Sequence, residues 1–205
     1  MDQPIADVTA GSDSLSESDL AAVPDEALIN GYLHGDQLAF EALYMRHKGP
    51  LYRYLMRQLP PHQAEEAFQE TWLKIIKALP GYTDQGRLQA YLFRICHNVL
   101  MDVHRANMRH VDEATQDEVI QDEAEQMTDG ASDVVTQVTD AQLHDKLCEQ
   151  LARLPVAQRA AWILKHETQL SVNEIAELTD STAEGVKSRL RYATDKLKLW
   201  MQNYV

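Results

Sequence analysis

Two stretches of this chain contain no lysine or arginine. Residues 1–28 carry seven acids, and residues 111–140 carry ten, from Asp112 to Asp140. These blocks dominate a formal net charge of −13. Without those 17 acids, the remainder holds 15 acids against all 19 lysines and arginines, and is mildly basic. Two readings of the blocks are open. Acid runs solvate and extend a disordered stretch, or they place an anionic linker where nucleic acid would otherwise lie. Cysteine is scarce: Cys96 and Cys148 stand far apart in apolar helical patterns. That fits reduced core thiols of a cytosolic protein better than a disulfide framework.

Other absences narrow the function further. No stretch approaches the ~20 apolar residues of a membrane span, so no membrane insertion is expected. The N-terminus has neither a basic start nor an apolar run, so no signal peptide is expected. There is no Gly-rich phosphate loop and no paired nucleophile and base. No enzymatic chemistry, cofactor or small-molecule substrate is therefore expected. The eight histidines are scattered. Cys96, His97 and His104 match no standard zinc spacing, which argues against a metal site.

What is present is helical periodicity. Residues 1–24 are rich in Ser, Asp and Ala and are expected to be a disordered acidic extension. From residue 25 to 110, Leu38, Phe40, Leu43 and Tyr44 predict one helix. Leu51, Tyr52, Leu55 and Leu59 continue it or begin another. Pro60 and Pro61 break the pattern. Ala64, Phe68, Trp72, Ile75, Ile76 and Leu79 recur at spacings of three and four, predicting a strong helix. Pro80-Gly81 ends it, a turn follows over residues 82–86, and residues 88–110 form a long helix. Residues 111–140 are the acidic linker. In residues 141–205, Leu143, Leu147, Leu151 and Leu154 form one stripe, and Pro155 suits the first turn of the next helix. Ser171 with Glu174, and Ser181 with Glu184, match capping boxes. They bound two short helices joined at Thr179-Asp180. The expected fold is all-α: two small helical domains on a flexible acidic tether.

Three surfaces invite a functional reading. On the helix 88–110, at 100° per residue, Leu88, Leu92, Ile95, Cys96, Val99 and Val103 share a core face. Tyr91, Arg94, Asn98, Asp102 and Arg105 share another. An aromatic ring can stack an unpaired base, arginine holds phosphate, and an amide reads a base edge. The same row also fits a plain solvated face. In the final hairpin, Val186, Leu190, Ala193 and Leu197 make the core face. Lys187, Ser188 and Arg191 project away from it, with Arg189 flanking, as in a helix that enters the major groove. An ordinary amphipathic hairpin is the alternative. Helix 64–79 carries Glu65, Glu66, Gln69 and Glu70 beside Trp72, Lys74 and Lys77, which is either an exposed face or a protein-docking surface.

Together these segments resemble the extracytoplasmic-function (ECF) group of bacterial RNA polymerase sigma factors. AEEAFQETWLKIIKALPGY looks like the family's polymerase-docking helix. RLQAYLFRICHNVLMDVHR looks like the helix that melts and reads the −10 element. LSVNEIAELTDSTAEGVKSRLRYATDKL looks like the helix-turn-helix that reads the −35 element. The resemblance covers residues 29–110 and 141–201, in the family's order. It implies region 2 over residues 25–110 and region 4 over residues 141–205. It also implies core RNA polymerase, promoter DNA and an anti-sigma factor as partners, and a cytoplasmic location.

Carried onto matching positions, the resemblance implies that Glu66, Gln69, Glu70 and Trp72 contact the clamp of the largest polymerase subunit. Tyr91, Arg94, Asn98 and Arg105 would serve the −10 element, Asn98 holding a flipped base. Lys187, Ser188, Arg189 and Arg191 would read the −35 element. The chain departs from the family at Tyr91, where Trp is usual, at Cys96 and His97, where small residues are usual, and at Asp180, where glycine is common. The resemblance further implies that the tether threads toward the RNA exit channel, where its acids would imitate RNA. Thirty flexible residues span roughly 30 Å, stretching toward about 100 Å when charge repels. Promoter boxes one and a half turns apart need about 50 Å. A stand-alone two-domain DNA-binding regulator, and an adaptor that binds only proteins, are the competing readings.

Overall fold

A computed structural model of the chain describes residues 22–83, 86–114, 140–168 and 170–202. Most of the expected acidic extension, most of the expected linker, and residues 84–85 of the expected turn lie outside them. Among the described residues every regular element is helical. The chain divides into two compact units, Met1–His47 and Lys48–Val205.

The first unit holds α1 (Asp25–Leu33) and the start of α2 (Gln37–Met56). The turn between them needs a left-handed residue, and Gly35 supplies it at φ 94°. Asp36 caps the new helix, its Oδ1 accepting from Leu38 N at 2.9 Å. Gly31 lets the helices close up, because a Cβ there would come within 2.9 Å of Ala39 Cβ. Asp25 binds Arg46 and His47, the latter at 3.0 Å. Burial works to raise the Asp25 pKa, but the hydrogen bonds and charges of His47 and Arg46 bring it below the usual carboxylate value.

In the second unit α2 continues through Pro50 without a break, so the two expected helices are one. Pro60-Pro61 then starts α3 (Pro61–Ala78) with proline in its first turn, where the missing N–H costs nothing. A 3-10 turn, Leu79–Gly81, leads toward α4 (Leu88–Ala114), which runs past the expected start of the linker. The core between these helices includes Leu51, Leu55, Ala64, Ile75, Leu92, Cys96 and Val99. Tyr54 meets Phe93 edge-on at 5.7 Å. The buried face of α4 is wider than the expected stripe: Phe93, His97 and Leu100 are also buried, while Ile95 and Val103 are only half-buried.

Helices α5 (Asp140–Ala152), α6 (Val156–Glu167), α7 (Val172–Leu178) and α8 (Ala183–Met201) complete the unit. Leu151, Leu154, Ala193 and Leu197 form a cluster, with Leu147, Trp162 and Trp200 against it. The capping box at Ser171 and Glu174 is present: Ser171 N donates to Glu174 Oε2 at 2.8 Å, and Glu174 N donates to Ser171 Oγ at 3.3 Å. The second expected box is corrected. Thr182, not Ser181, caps α8, accepting from Gly185 N at 3.0 Å. Asp180 holds the left-handed turn position at φ 48°, a conformation Asp tolerates better than most residues. Both cysteines are reduced thiols, and burial pushes the Cys96 pKa up to about 12. No helix among the described residues is long and apolar enough to cross a membrane.

Candidate nucleic-acid and polymerase interface

The helical pitch of α4 delivers Tyr91, Arg94, Asn98, Asp102 and Arg105 to one row. Arg94, Asn98 and Arg105 are exposed and Tyr91 is half-buried. Tyr91 has a partner from the turn 82–88, where the resemblance implies a loop beside the base-holding pocket: the Tyr82 ring lies 4.7 Å away, tilted by 39°. The two rings border a cleft of about 300 Å³, lined also by Thr83, Arg87, Ala90 and Arg94. Two rings and two guanidinium groups around one cleft offer stacking and phosphate contacts together. Periodicity says nothing of Tyr82 and Arg87, which lie in the irregular stretch before α4; only the family resemblance marked that turn.

Further along, Arg105 Nη2 donates to Asp102 Oδ1 at 2.6 Å. Asp102 also meets Lys74 at 3.5 Å, and Lys74 meets Glu70 at 2.9 Å. The Glu70 hydrogen bond is the main reason the Lys74 pKa is raised. A line of alternating charge therefore runs from the outer face of α3 to the basic row of α4.

On α3, Glu66, Gln69 and Glu70 are exposed, as the docking expectation requires. Trp72 departs from it. The residue is 6% exposed and its ring packs edge-on to Phe68 at 6.4 Å. Its apolar spacing with Ala64, Phe68 and Ile75 already marked it for the core. Leu73, missed in the sequence, is 59% exposed beside Gln69 and Glu70. An apolar residue out of register with the stripe was its only signal.

On α8, Lys187 and Arg191 are exposed, whereas Ser188 and Arg189 are half-buried. Lys187 meets Glu184 at 2.7 Å, and the Arg191 guanidinium lies over the Tyr192 ring at 5.2 Å. The charge of Arg189 bears on the buried His97 of α4. His97 in turn shares a 2.8 Å hydrogen bond, through Nδ1, with the Tyr54 hydroxyl. Among the described residues, no group of three or more His, Cys, Asp and Glu could hold a metal.

A family model described as "Sigma-70 region 2" matches residues 43–110, which span most of α2, all of α3 and most of α4. The ECF RNA polymerase sigma-E factor of Salmonella typhimurium is 26% identical over 178 residues, covering 84% of this chain and 92% of that protein. The Haemophilus influenzae sigma-E factor is 23% identical over 179 residues, covering 85% and 93%. Among solved structures, the fold is similar to sigma factor RpoE in complex with the anti-sigma factor NepR from Bartonella quintana. That match has TM-score 0.62 and 21% identity, covering 80% of this chain and 96% of that one. CnrH in complex with the cytosolic domain of CnrY gives TM-score 0.60 at 20% identity, covering 87% and 97%. The ordered helices, the basic row on α4 and these relatives point the same way: residues 43–110 match sigma-70 region 2, and the chain as a whole is similar to extracytoplasmic-function RNA polymerase sigma factors.

Proposed function

We propose that this protein binds core RNA polymerase through the outer face of α3, reads and opens a −10 element with α4, and reads a −35 element with α8. Polymerase binding and promoter recognition are the general function of the family. The observation that carries the finer assignment is the exposed row Arg94, Asn98 and Arg105 on α4, beside the Tyr82–Tyr91 pair. Stacking on an aromatic pair supplies about 1–3 kcal/mol per base, comparable with the few kcal/mol lost when a base leaves its stack. Asn98 presents an amide where the edge of such a base would lie. The Arg94 and Arg105 guanidinium groups supply cations for the strand's phosphates.

Glu66, Gln69 and Glu70 are the polymerase contacts in this reading, with Trp72 shaping their helix from beneath. Lys187, Ser188, Arg189 and Arg191 are the −35 contacts. Each reader is weak alone, because a mildly basic domain makes few phosphate contacts. Polymerase makes the pair specific by fixing both on one scaffold. An anti-sigma factor is proposed as a further partner, since one similar solved structure is a sigma factor in complex with an anti-sigma factor. The cytoplasm is the compartment these partners require.

Run-off transcription with core polymerase on a genomic promoter library tests the reading. The protein is expected to create start sites that core polymerase alone lacks. DNA binding by the free protein with no new start site would instead favour a stand-alone regulator.

A further inference from the structure

The packing of α8 leaves one large ring outside. Val186, Ala193 and Leu197 are buried, whereas Tyr192 is 51% exposed. A single exposed ring is ordinary on a protein surface, and exposure alone assigns it no role. Its place beside Arg191 does. The Arg191 guanidinium lies over the Tyr192 ring, 5.2 Å from its centroid, within reach of a cation–π contact. Among the described residues no carboxylate pairs with Arg191, so the ring is what orients its charge.

The neighbouring cations of α8 are placed differently. Lys187 is met by Glu184 at 2.7 Å. Arg189 is half-buried, and its charge bears on His97. At 3.6 residues per turn, Ser188 lies between Arg191 and Tyr192 on the outward face, about 60° from the first and about 40° from the second. Asp195, exposed on the same face one turn after Arg191, sets a negative charge where a phosphate would approach. The stretch that can face DNA therefore ends at Tyr192. From Lys187 to Tyr192 the helix rises about 7.5 Å, the height of about two base-pair steps. Arg191 and Tyr192 can thus reach neighbouring base pairs from one docking position.

We propose that Tyr192 is a further specificity-determining residue of the −35 contact: its ring holds the Arg191 guanidinium toward the groove and meets the methyl group of a thymine beside the guanine that Arg191 reads. The inference rests on the proposed −35 role of α8. Arginine donates to guanine O6 and N7 together only when its planar fork is correctly turned. A long side chain loses rotamer freedom on binding, and stacking on the ring removes part of that loss beforehand. The ring edge is apolar, and the thymine methyl is the apolar group that a base pair presents in the major groove. The pair selects guanine beside thymine, and a wrong base at either position should lower affinity roughly five- to a hundredfold.

The full chain assembled with core polymerase tests this on a promoter library with a randomised −35 element, the transcripts being sequenced. The wild-type protein should enrich guanine beside thymine. Tyr192→Ala should lose the thymine preference and weaken the guanine preference severalfold. Tyr192→Phe keeps the ring and removes only the hydroxyl, so it should retain both. Arg191→Ala should lose the guanine preference and keep that for thymine. An unchanged Tyr192→Ala profile, or activity lowered equally at every sequence, overturns the role of Tyr192. So does a wild-type profile without thymine beside guanine. If Arg191→Ala or Lys187→Ala still alters the profile, the −35 reading of α8 stands without Tyr192. If none of these variants alters it, that reading falls as well.

Discussion

Arg159 and Gln58 are 101 residues apart in sequence, yet the Arg159 Nε donates to Gln58 Oε1 at 2.9 Å in the interior. Burial lowers the Arg159 pKa, the mark of a cation taken out of water. Hydrogen bonds to a charged group contribute about 1.5–3 kcal/mol. Arg159→Ala is therefore expected to lower unfolding stability by about that amount. Urea unfolding of the full chain checks it: the midpoint should fall while the slope is preserved.

The caps of the helix-turn-helix make a separate forecast. Thr182 Oγ1 accepts from Gly185 N, and no such contact places Ser181 at the cap. Thr182→Ala should cost about 1 kcal/mol. Ser181→Ala, one residue before the cap and without its hydrogen bond, should stay within about 0.5 kcal/mol. Thermal unfolding of the two variants side by side distinguishes them. Equal losses would return the cap to Ser181.

Acid should loosen the interior around His97. Burial pushes its pKa down to about 4 from an ordinary 6.5, and the nearby charges of Arg189 and His104 add to the effect. The unfolded chain takes up that proton first as pH falls. Stability is thus fully present above about pH 6.5 and is lost progressively toward pH 4. The full loss is on the order of 3 kcal/mol. His97→Gln should flatten this part of the stability–pH curve, measured by urea titration at successive pH values. An unchanged slope would assign the acid sensitivity to other groups.

The helices were largely legible in the sequence, because apolar spacing and proline placement are local signals. Pro60-Pro61 and the Ser171–Glu174 box could be read directly, and so could the left-handed strain at Asp180. The shift of the α8 cap to Thr182 could not, since Ser181 and Thr182 both carry a capping hydroxyl and only backbone geometry chooses between them. Long-range partners left no periodic trace. Arg159 reads as an ordinary charged residue until α6 meets Gln58. Glu174 and Glu177 read as the solvated face of a short helix until α7 meets Arg87. Trp72 carried two signals, apolar register and family position, and burial followed the register.

That conflict on α3 yields a paired prediction. Trp72→Ala removes a core ring and should cost about 3–5 kcal/mol of stability. Leu73→Asp touches an exposed position and should leave stability within about 0.5 kcal/mol. If α3 is the docking helix, Leu73→Asp should weaken core polymerase binding as an interface hot spot does, by about 2 kcal/mol or roughly thirtyfold. Surface plasmon resonance on immobilised core polymerase measures it. Loss of binding by Trp72→Ala alone, with Leu73→Asp unaffected, would move the docking surface off this face.

Promoter opening is the central step of the account, and permanganate footprinting on a promoter identified by run-off transcription measures it most directly. The wild-type protein with core polymerase should expose reactive thymines within the −10 element. Asn98→Ala should suppress that reactivity while closed-complex binding, read by gel shift on the same DNA, is largely retained. Equal loss of both signals would contradict a flipped-base role for Asn98. An absence of reactive thymines with the wild-type protein would contradict the account as a whole.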